Sequence, residues 1–186
     1  MRHKHINMEK VEKTKPIIRS FGKEDIPDIA EAFKKLGWNK PASQYEQYVR
    51  EQLYKVRDVY IALLDEQFAG YLTICWQSTY EPFREKEIPE ITDFNVLPHY
   101  RRMGIGSQLM DRAESEIGHV SPVAGIGVGM TPDYGAAQRL YALRGYVPDG
   151  KGLHYWGRPV YHGQVITADD NLALYLIKEL GQSHDF

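Results

Sequence analysis

Arg101 and Arg102 stand directly ahead of Met103-Gly104-Ile105-Gly106-Ser107, and Ile105, Leu109, Ala113 and Ile117 then recur at the spacing of one helix face. Two cations, two positions without side chains and a helix start suit an anion: the first amides of a helix lack intrahelical partners, and glycine lets a ligand approach the backbone. Three phosphate-binding schemes compete for this step. A Walker loop ends in Gly-Lys-Ser/Thr, whereas Ser107 follows Gly106 here with no lysine between. A Rossmann fingerprint needs a third glycine where this chain has Leu109, and it opens the first strand-turn-helix unit, which this step does not. The third scheme is a pyrophosphate held by the amides of Met103 to Ser107, with the two arginines at the mouth. Against it stands a plain helix entry whose arginines are solvated.

The elements that must position this step follow from periodicity. Pro16 to Phe21 reads as a strand, and Ile26, Ile29, Ala30, Phe33 and Leu36 mark a helix with Asp25 as N-cap, Pro27 in the first turn and Gly37 as stop. A more polar helix covers Ala42 to Tyr54. The run from Asp58 to Ser78 is a hairpin turning near Asp65 and Glu66, followed by a loop through Pro89. Glu90 to Val96 is a strand ended by Pro98, which cannot donate a ladder hydrogen bond. The helix after Gly104 closes at Gly118, and a glycine-rich buried strand covers Val123 to Met130. Ala137, Leu140, Tyr141 and Arg144 mark a last helix capped by Gly145, and a turn-rich loop leads to a closing strand over about Asn171 to Leu180. The order β-α-α-β-β-β-α-β-α-β predicts one α/β domain, a central mixed and mostly antiparallel sheet flanked by helices, over residues 15–181. Residues 1–14 read as a flexible leader and 182–186 as a short tail.

Composition narrows the function. A chain of 186 residues that is 42% hydrophobic can bury one sizeable core, and a net charge of -2 with interspersed signs supplies no field for nucleic acid. No apolar run reaches the ~18 residues of a membrane span. The lone Cys75 excludes an internal disulfide framework and suits a reducing, cytoplasmic setting, where it reads as a buried structural thiol. His3 and His5 read as solvated rather than as metal ligands, and no clustered metal motif is present in the sequence.

The stretch from Ile91 to Glu114 resembles the acetyl-coenzyme A motif of the GCN5-related N-acetyltransferase (GNAT) superfamily: a strand of the form Asp-hydrophobic-x-Val, a proline, then Arg-x-x-Gly-x-Gly opening a helix. Arg101, Gly104 and Gly106 match residue for residue. Ala137, Leu140-Tyr141 and Gly145-Tyr146 resemble the family's second motif. At Tyr134 the chain departs from the asparagine often found there. The resemblance implies transfer of acetyl from acetyl-coenzyme A to a primary amine by direct attack on the thioester, with no metal. It places the cofactor against Phe94, Val96, Arg101, Arg102, Met103, Gly104, Ile105, Gly106, Ser107, Tyr134 and Ala137. The pantetheine would pair along the strand ending at Val96, where amides near Phe94 to Leu97 would face the thioester oxygen.

By the same resemblance Glu90 corresponds to a general base, with Asp93 as rival; strand alternation puts the two on opposite faces unless a bulge intervenes. Tyr141 matches the family's acid for the departing thiolate, as a phenol of ordinary pKa ~10 can protonate a thiolate of ~8.5. The amine acceptor, a small molecule or a peptide, would be met by three aromatic-rich segments holding Trp38, Tyr45, Trp76, Tyr80, Phe83, Tyr155 and Trp156, with His154 and His162 in the last. A homodimer is implied only by analogy with such folds. A catalytically idle acyl-coenzyme A sensor on the same fold is the competing class, and the intact motif and Tyr141 argue against it. A nucleotide-using hydrolase or ligase lacks both its lysine and its metal ligands.

Overall fold

A computed structural model describes residues 15–181. One eight-stranded sheet organises them, in the order β1-β2-β3-β4-β5-β8-β6-β7. The strands are β1 (Ile17–Ser20), β2 (Arg57–Leu64), β3 (Gln67–Cys75), β4 (Glu90–Val96), β5 (Val123–Gly129), β6 (Val147–Tyr155), β7 (Arg158–Pro159) and β8 (Leu172–Glu179). Every neighbouring pair is antiparallel except β4 and β5, which run parallel.

The helices are α1 (Ile26–Lys35), α2 (Ala42–Leu53), α3 (Glu81–Glu85), α4 (Ile105–Gly118) and α5 (Gly135–Leu143). Each face of the sheet has its own core, because alternate strand residues point to opposite sides. Ile105, Leu109, Met110, Ala113 and Ile117 of α4 pack with Leu72, Ile74, Ile91 and Ile126 on one face. Ile29 and Phe33 of α1 and Tyr45 and Tyr48 of α2 pack with Ile61, Phe68 and Tyr71 on the other. A smaller cluster of Tyr80, Phe83 and Ile88 lies against Tyr175 and Ile177.

The predicted first strand, two helices, hairpin and central strand all form, and the turn residues Asp65 and Glu66 take the left-handed conformation at φ 49° and 62°. Four expectations are corrected. Asp25 sits at the start of α1 but caps nothing there, because its carboxylate is held by Arg19 and the amide of Gly22. α4 runs through Gly118, with His119 as its cap. The loop after β3 contains α3, and the turn-rich region after α5 contains β6 and β7; Gly150 and Gly152, both at positive φ, interrupt β6 between Pro148 and Leu153, so the sequence there looks like turns. The leader, the tail, His3 and His5 lie outside the described residues.

Candidate active site

The central opening follows from how β4 meets β5. Their parallel ladder consists of Glu90↔Gly125 and Ile91↔Ile126. Beyond it β4 continues against β3 and β5 continues against β8, so the two strands part and leave a slot. The amide of Leu97 donates to Ala69 of β3 at 2.9 Å, which removes it from the expected set of slot donors. Because successive strand amides alternate in direction, those of Val96 and Phe94 turn to the slot side instead.

α4 starts at the end of this slot. Gly104 precedes it at φ 81°, a conformation that costs a residue with a Cβ roughly 1–2 kcal/mol. The first helical amide with a backbone partner is that of Gln108, bonded to the carbonyl of Gly104 at 3.1 Å, so the amides from Met103 to Ser107 have no backbone acceptor among the described residues. A Cβ on Gly106 would sit 3.3 Å from the ring of Phe94, so glycine is what lets the helix start close on β4. Arg101 donates from Nε to the carbonyl of Val96 at 3.2 Å and leaves its other donors to solvent; Arg102 is exposed and left-handed at φ 64°. Unpaired amides, two arginines and a close backbone together fit a pyrophosphate.

The two candidate carboxylates share a face. Between the pairs Thr73↔Thr92 and Tyr71↔Asn95, β4 carries one residue more than β3, and this bulge holds Asp93 at φ 46°. Its effect is to put Glu90, Thr92, Asp93 and Asn95 on the α2 side while Ile91, Phe94 and Val96 face α4. The expectation of opposite faces is therefore corrected.

Their surroundings differ. Asp93 accepts from Lys40 Nζ at 2.5 Å, Gln44 Nε2 at 2.8 Å, the hydroxyl of Tyr48 at 2.8 Å, the hydroxyl of Tyr71 and Asn95 Nδ2 at 3.0 Å. Burial works against its charge, yet Lys40 and these donors outweigh burial and hold the carboxyl below its ordinary range. Glu90 is 7% exposed and, among the described residues, takes a single side-chain hydrogen bond, from Ser78 Oγ at 2.5 Å. Burial pushes its pKa up, against the hydroxyl and the Arg57 guanidinium. Its Oε1 lies 3.6 Å from where a Cβ on Gly127 would be, at the mouth of the slot.

On the other face, Tyr141 is buried with its ring 6.5 Å from that of Phe94, and burial raises its pKa. Its hydroxyl has no hydrogen-bond partner among the described residues. Ala137 packs one turn earlier against the same core. Tyr134 covers Gly129 with its ring, where no Cβ would fit, and donates to Asp170 Oδ1 at 3.1 Å. Burial and Asp170 raise its pKa to about 12.

The aromatic residues expected at the acceptor do not converge on one pocket. Tyr45 is in the α1–α2 core, Trp38 stacks on Phe33, Trp76 donates to Asp58, and Tyr155 donates to Asp169. Trp156 is 70% exposed at the β6–β7 turn, and His162 is exposed on the following loop. Tyr80 and Phe83 do come near the slot: Tyr80 stacks on Tyr175 at 3.6 Å, and Tyr175 in turn approaches the Cβ position of Gly127 at 3.1 Å. His154 is buried edge-on to Tyr80 with Nδ1 3.2 Å from the carbonyl of Gly152, so it is a packed core histidine. Cys75 is half-buried rather than fully buried as expected, and burial raises its pKa. Ser78, Lys40 and Tyr175 are residues the sequence did not single out, since none stands in a local motif. Among the described residues no group of three or more His, Cys, Asp or Glu side chains could hold a metal ion, and no helix is long and apolar enough to cross a membrane.

A splayed parallel pair, a helix starting on glycines at the slot and a sheet covered on both faces make up the site. The chain belongs to the acetyltransferase (GNAT) family, whose model matches residues 24–146. No curated protein matches the sequence. Among solved structures it is similar to a ribosomal-protein-alanine N-acetyltransferase from Brucella melitensis, with 19% identity, 88% of this chain and 99% of that one covered, and a TM-score of 0.66. It is similar also to Ard1 from Thermoplasma volcanium, at 20% identity over 89% and 97% of the two chains with a TM-score of 0.64. A third is yncA from Salmonella typhimurium, solved with its cofactor acetyl-CoA, at 18% identity over 91% and 96% with a TM-score of 0.65.

Proposed function

We propose that this acetyltransferase moves an acetyl group from acetyl-coenzyme A to the primary amine of a small molecule or peptide, with Glu90 as base and Tyr141 as acid. The observation that carries this reading is the slot itself: β4 and β5 part after Ile91↔Ile126, with unpaired α4 amides at one end, Glu90 on one face and Tyr141 on the other. The α4 amides and Arg101 and Arg102 would hold the pyrophosphate, and the amides of Phe94 and Val96 would lie along the pantetheine and meet the acyl oxygen. Acetyl-coenzyme A supplies the activated acyl carbon as a thioester.

The chain's own groups manage two protons. An aliphatic ammonium has a pKa of roughly 10 and must lose a proton before its lone pair can attack. Glu90 can take it because Oε1 has no hydrogen bond among the described residues and burial has raised its basicity. Asp93 is the poorer base, as Lys40 and four further donors occupy its oxygens. As the N–C bond forms and the C–S bond breaks, Tyr141 gives its phenolic proton to the sulfur; a raised pKa keeps that proton in place at neutral pH. The nitrogen sheds its second proton as the amide forms, which balances the one Tyr141 gave to sulfur and restores the phenol, and the proton on Glu90 passes to solvent.

Incubation with labelled acetyl-coenzyme A and a panel of polyamines, aminoglycosides, amino acids and peptides tests the reading. Transfer to one class of amine supports it. Tight binding without transfer to any of them would refute it in favour of an idle sensor.

A further inference from the structure

Asp93 takes no part in either proton transfer, yet it joins three other elements. Lys40 comes from the connection between α1 and α2, Gln44 and Tyr48 from α2, and Tyr71 from β3. Lys40 also donates to the Tyr71 hydroxyl at 3.1 Å and lies over the rings of Phe33 and Tyr71 at 5.7 and 5.6 Å, so its ammonium is seated by carboxylate, hydroxyl and aromatic faces together. This network converges on the extra residue of the β4 bulge.

The bulge decides which way the following strand faces. Ile91 and Phe94 are three residues apart and both pack toward α4, which a regular strand with a two-residue period cannot do. Without the extra residue, Phe94 and Val96 would turn toward α2 and their amides toward β3. The slot would then present Asn95 in their place. Asp93 at φ 46° is not a residue that adopts this bulge freely, as glycine would; side-chain bonds from outside the strand hold it there.

We propose that the Asp93–Lys40 pair is the device that sets the register of the slot amides, making Asp93 and Lys40 positioning residues for the acyl carbonyl. This rests on the function proposed above for the slot. It also links two sides of the site: the connection carrying Trp38 and Lys40, on the α1–α2 side, is bolted to the strand that holds the cofactor. An acceptor that moves this connection therefore acts on the alignment of the amides.

The test uses the full chain with Lys40→Met, Lys40→Arg and Asp93→Ala. The methionine keeps the stem without the ammonium, arginine restores the charge, and alanine removes the carboxylate while keeping the cost of the left-handed backbone. In the ligand-free protein, cross-strand proton contacts between Asn95 and Tyr71 and amide exchange at Phe94 and Val96 read the register. Both are expected to change in Lys40→Met and Asp93→Ala and to recover in Lys40→Arg. Turnover is expected to fall about tenfold or more in Lys40→Met with the KM for acetyl-coenzyme A moving less, since donors aimed at the acyl oxygen act on the transition state. An unchanged register in Lys40→Met and Asp93→Ala overturns the proposal, as does a lowered Tm with kcat at low temperature kept within twofold. Should the wild type transfer acetyl to no amine, the proposed reaction fails, while the register measurement on ligand-free protein still decides whether this pair sets the strand.

Discussion

Glu90→Gln separates the cost of a buried base from its use. Glutamine has nearly the same volume, and its carbonyl oxygen can accept the Ser78 hydrogen bond that Glu90 accepts now. What is lost is charge and basicity. Removing a positioned general base costs about 10²- to 10⁴-fold, or ~3–5 kcal/mol of transition-state stabilisation. Stability should move the other way. The folded state raises the Glu90 pKa above its ordinary 4.5, so the native protein prefers the neutral form; the penalty is absent below that ordinary value and present once pH has risen through the folded one. Each unit of elevation is ~1.4 kcal/mol of this penalty at neutral pH. The variant is therefore expected to melt higher than wild type at pH 7, with the gap closing as pH falls toward 4.5. The assay is kcat/KM against pH beside Tm against pH for both proteins. Wild-type kcat/KM should rise with pH through the elevated pKa of Glu90, and the variant should lose that limb. A variant that turns over within threefold of wild type, with chemistry rate-limiting, would remove Glu90 from the mechanism.

Three further outcomes are expected. Tyr141→Phe should lower turnover about 10²-fold or more while the coenzyme A dissociation constant, measured by calorimetry, changes little, because only the hydroxyl is removed. Gly104→Val should abolish detectable coenzyme A binding in the same titration while lowering Tm by only about 2–8 °C, the effect of roughly 1–2 kcal/mol of left-handed strain in a domain of this size. Arg144→Met removes a two-pronged contact to Glu114 at 2.8 and 2.9 Å and one to Asp111 at 2.7 Å, tying α5 to α4, and should cost about 1.5–3 kcal/mol by denaturant titration. Arg144 and Lys178 hold the Glu114 pKa below its ordinary 4.5, so its contribution is present above that value and lost as pH falls through the depressed one; the gap between wild type and variant should narrow on acidification.

Local physics was legible in the sequence. The left-handed turn and helix start from Arg101 to Ser107 were legible because their determinants are neighbours in the chain: a glycine at the left-handed position, a second one in the first turn, and an apolar stripe after them. α1 and α4 were legible because their apolar residues recur on one face, and the β2–β3 hairpin because its polar turn separates two apolar runs. β6 was not, since its ladder to β8 tolerates the proline and glycines that elsewhere end a strand. Nor was α3, a helix of 5 residues held by the packing of Tyr80 and Phe83 on Tyr175.

By itself, then, the sequence determined the order of most elements and the family's cofactor motif, since both depend on residues within a turn or two of one another. Tertiary structure decided which carboxylate is free. Glu90 and Asp93 lie three residues apart and are chemically alike, and their difference comes from Ser78 on one and from Lys40, Gln44, Tyr48 and Tyr71 on the other. The two carboxylates share a face because a bulge lies between them, and the side chains bonded to Asp93 in that bulge come from distant parts of the chain. Likewise the aromatic residues Tyr45 and Trp156 could not be told apart in sequence, and one is sealed in the core while the other is open to solvent. Burial and partner choice are properties of long-range contacts, which no spacing along the chain records.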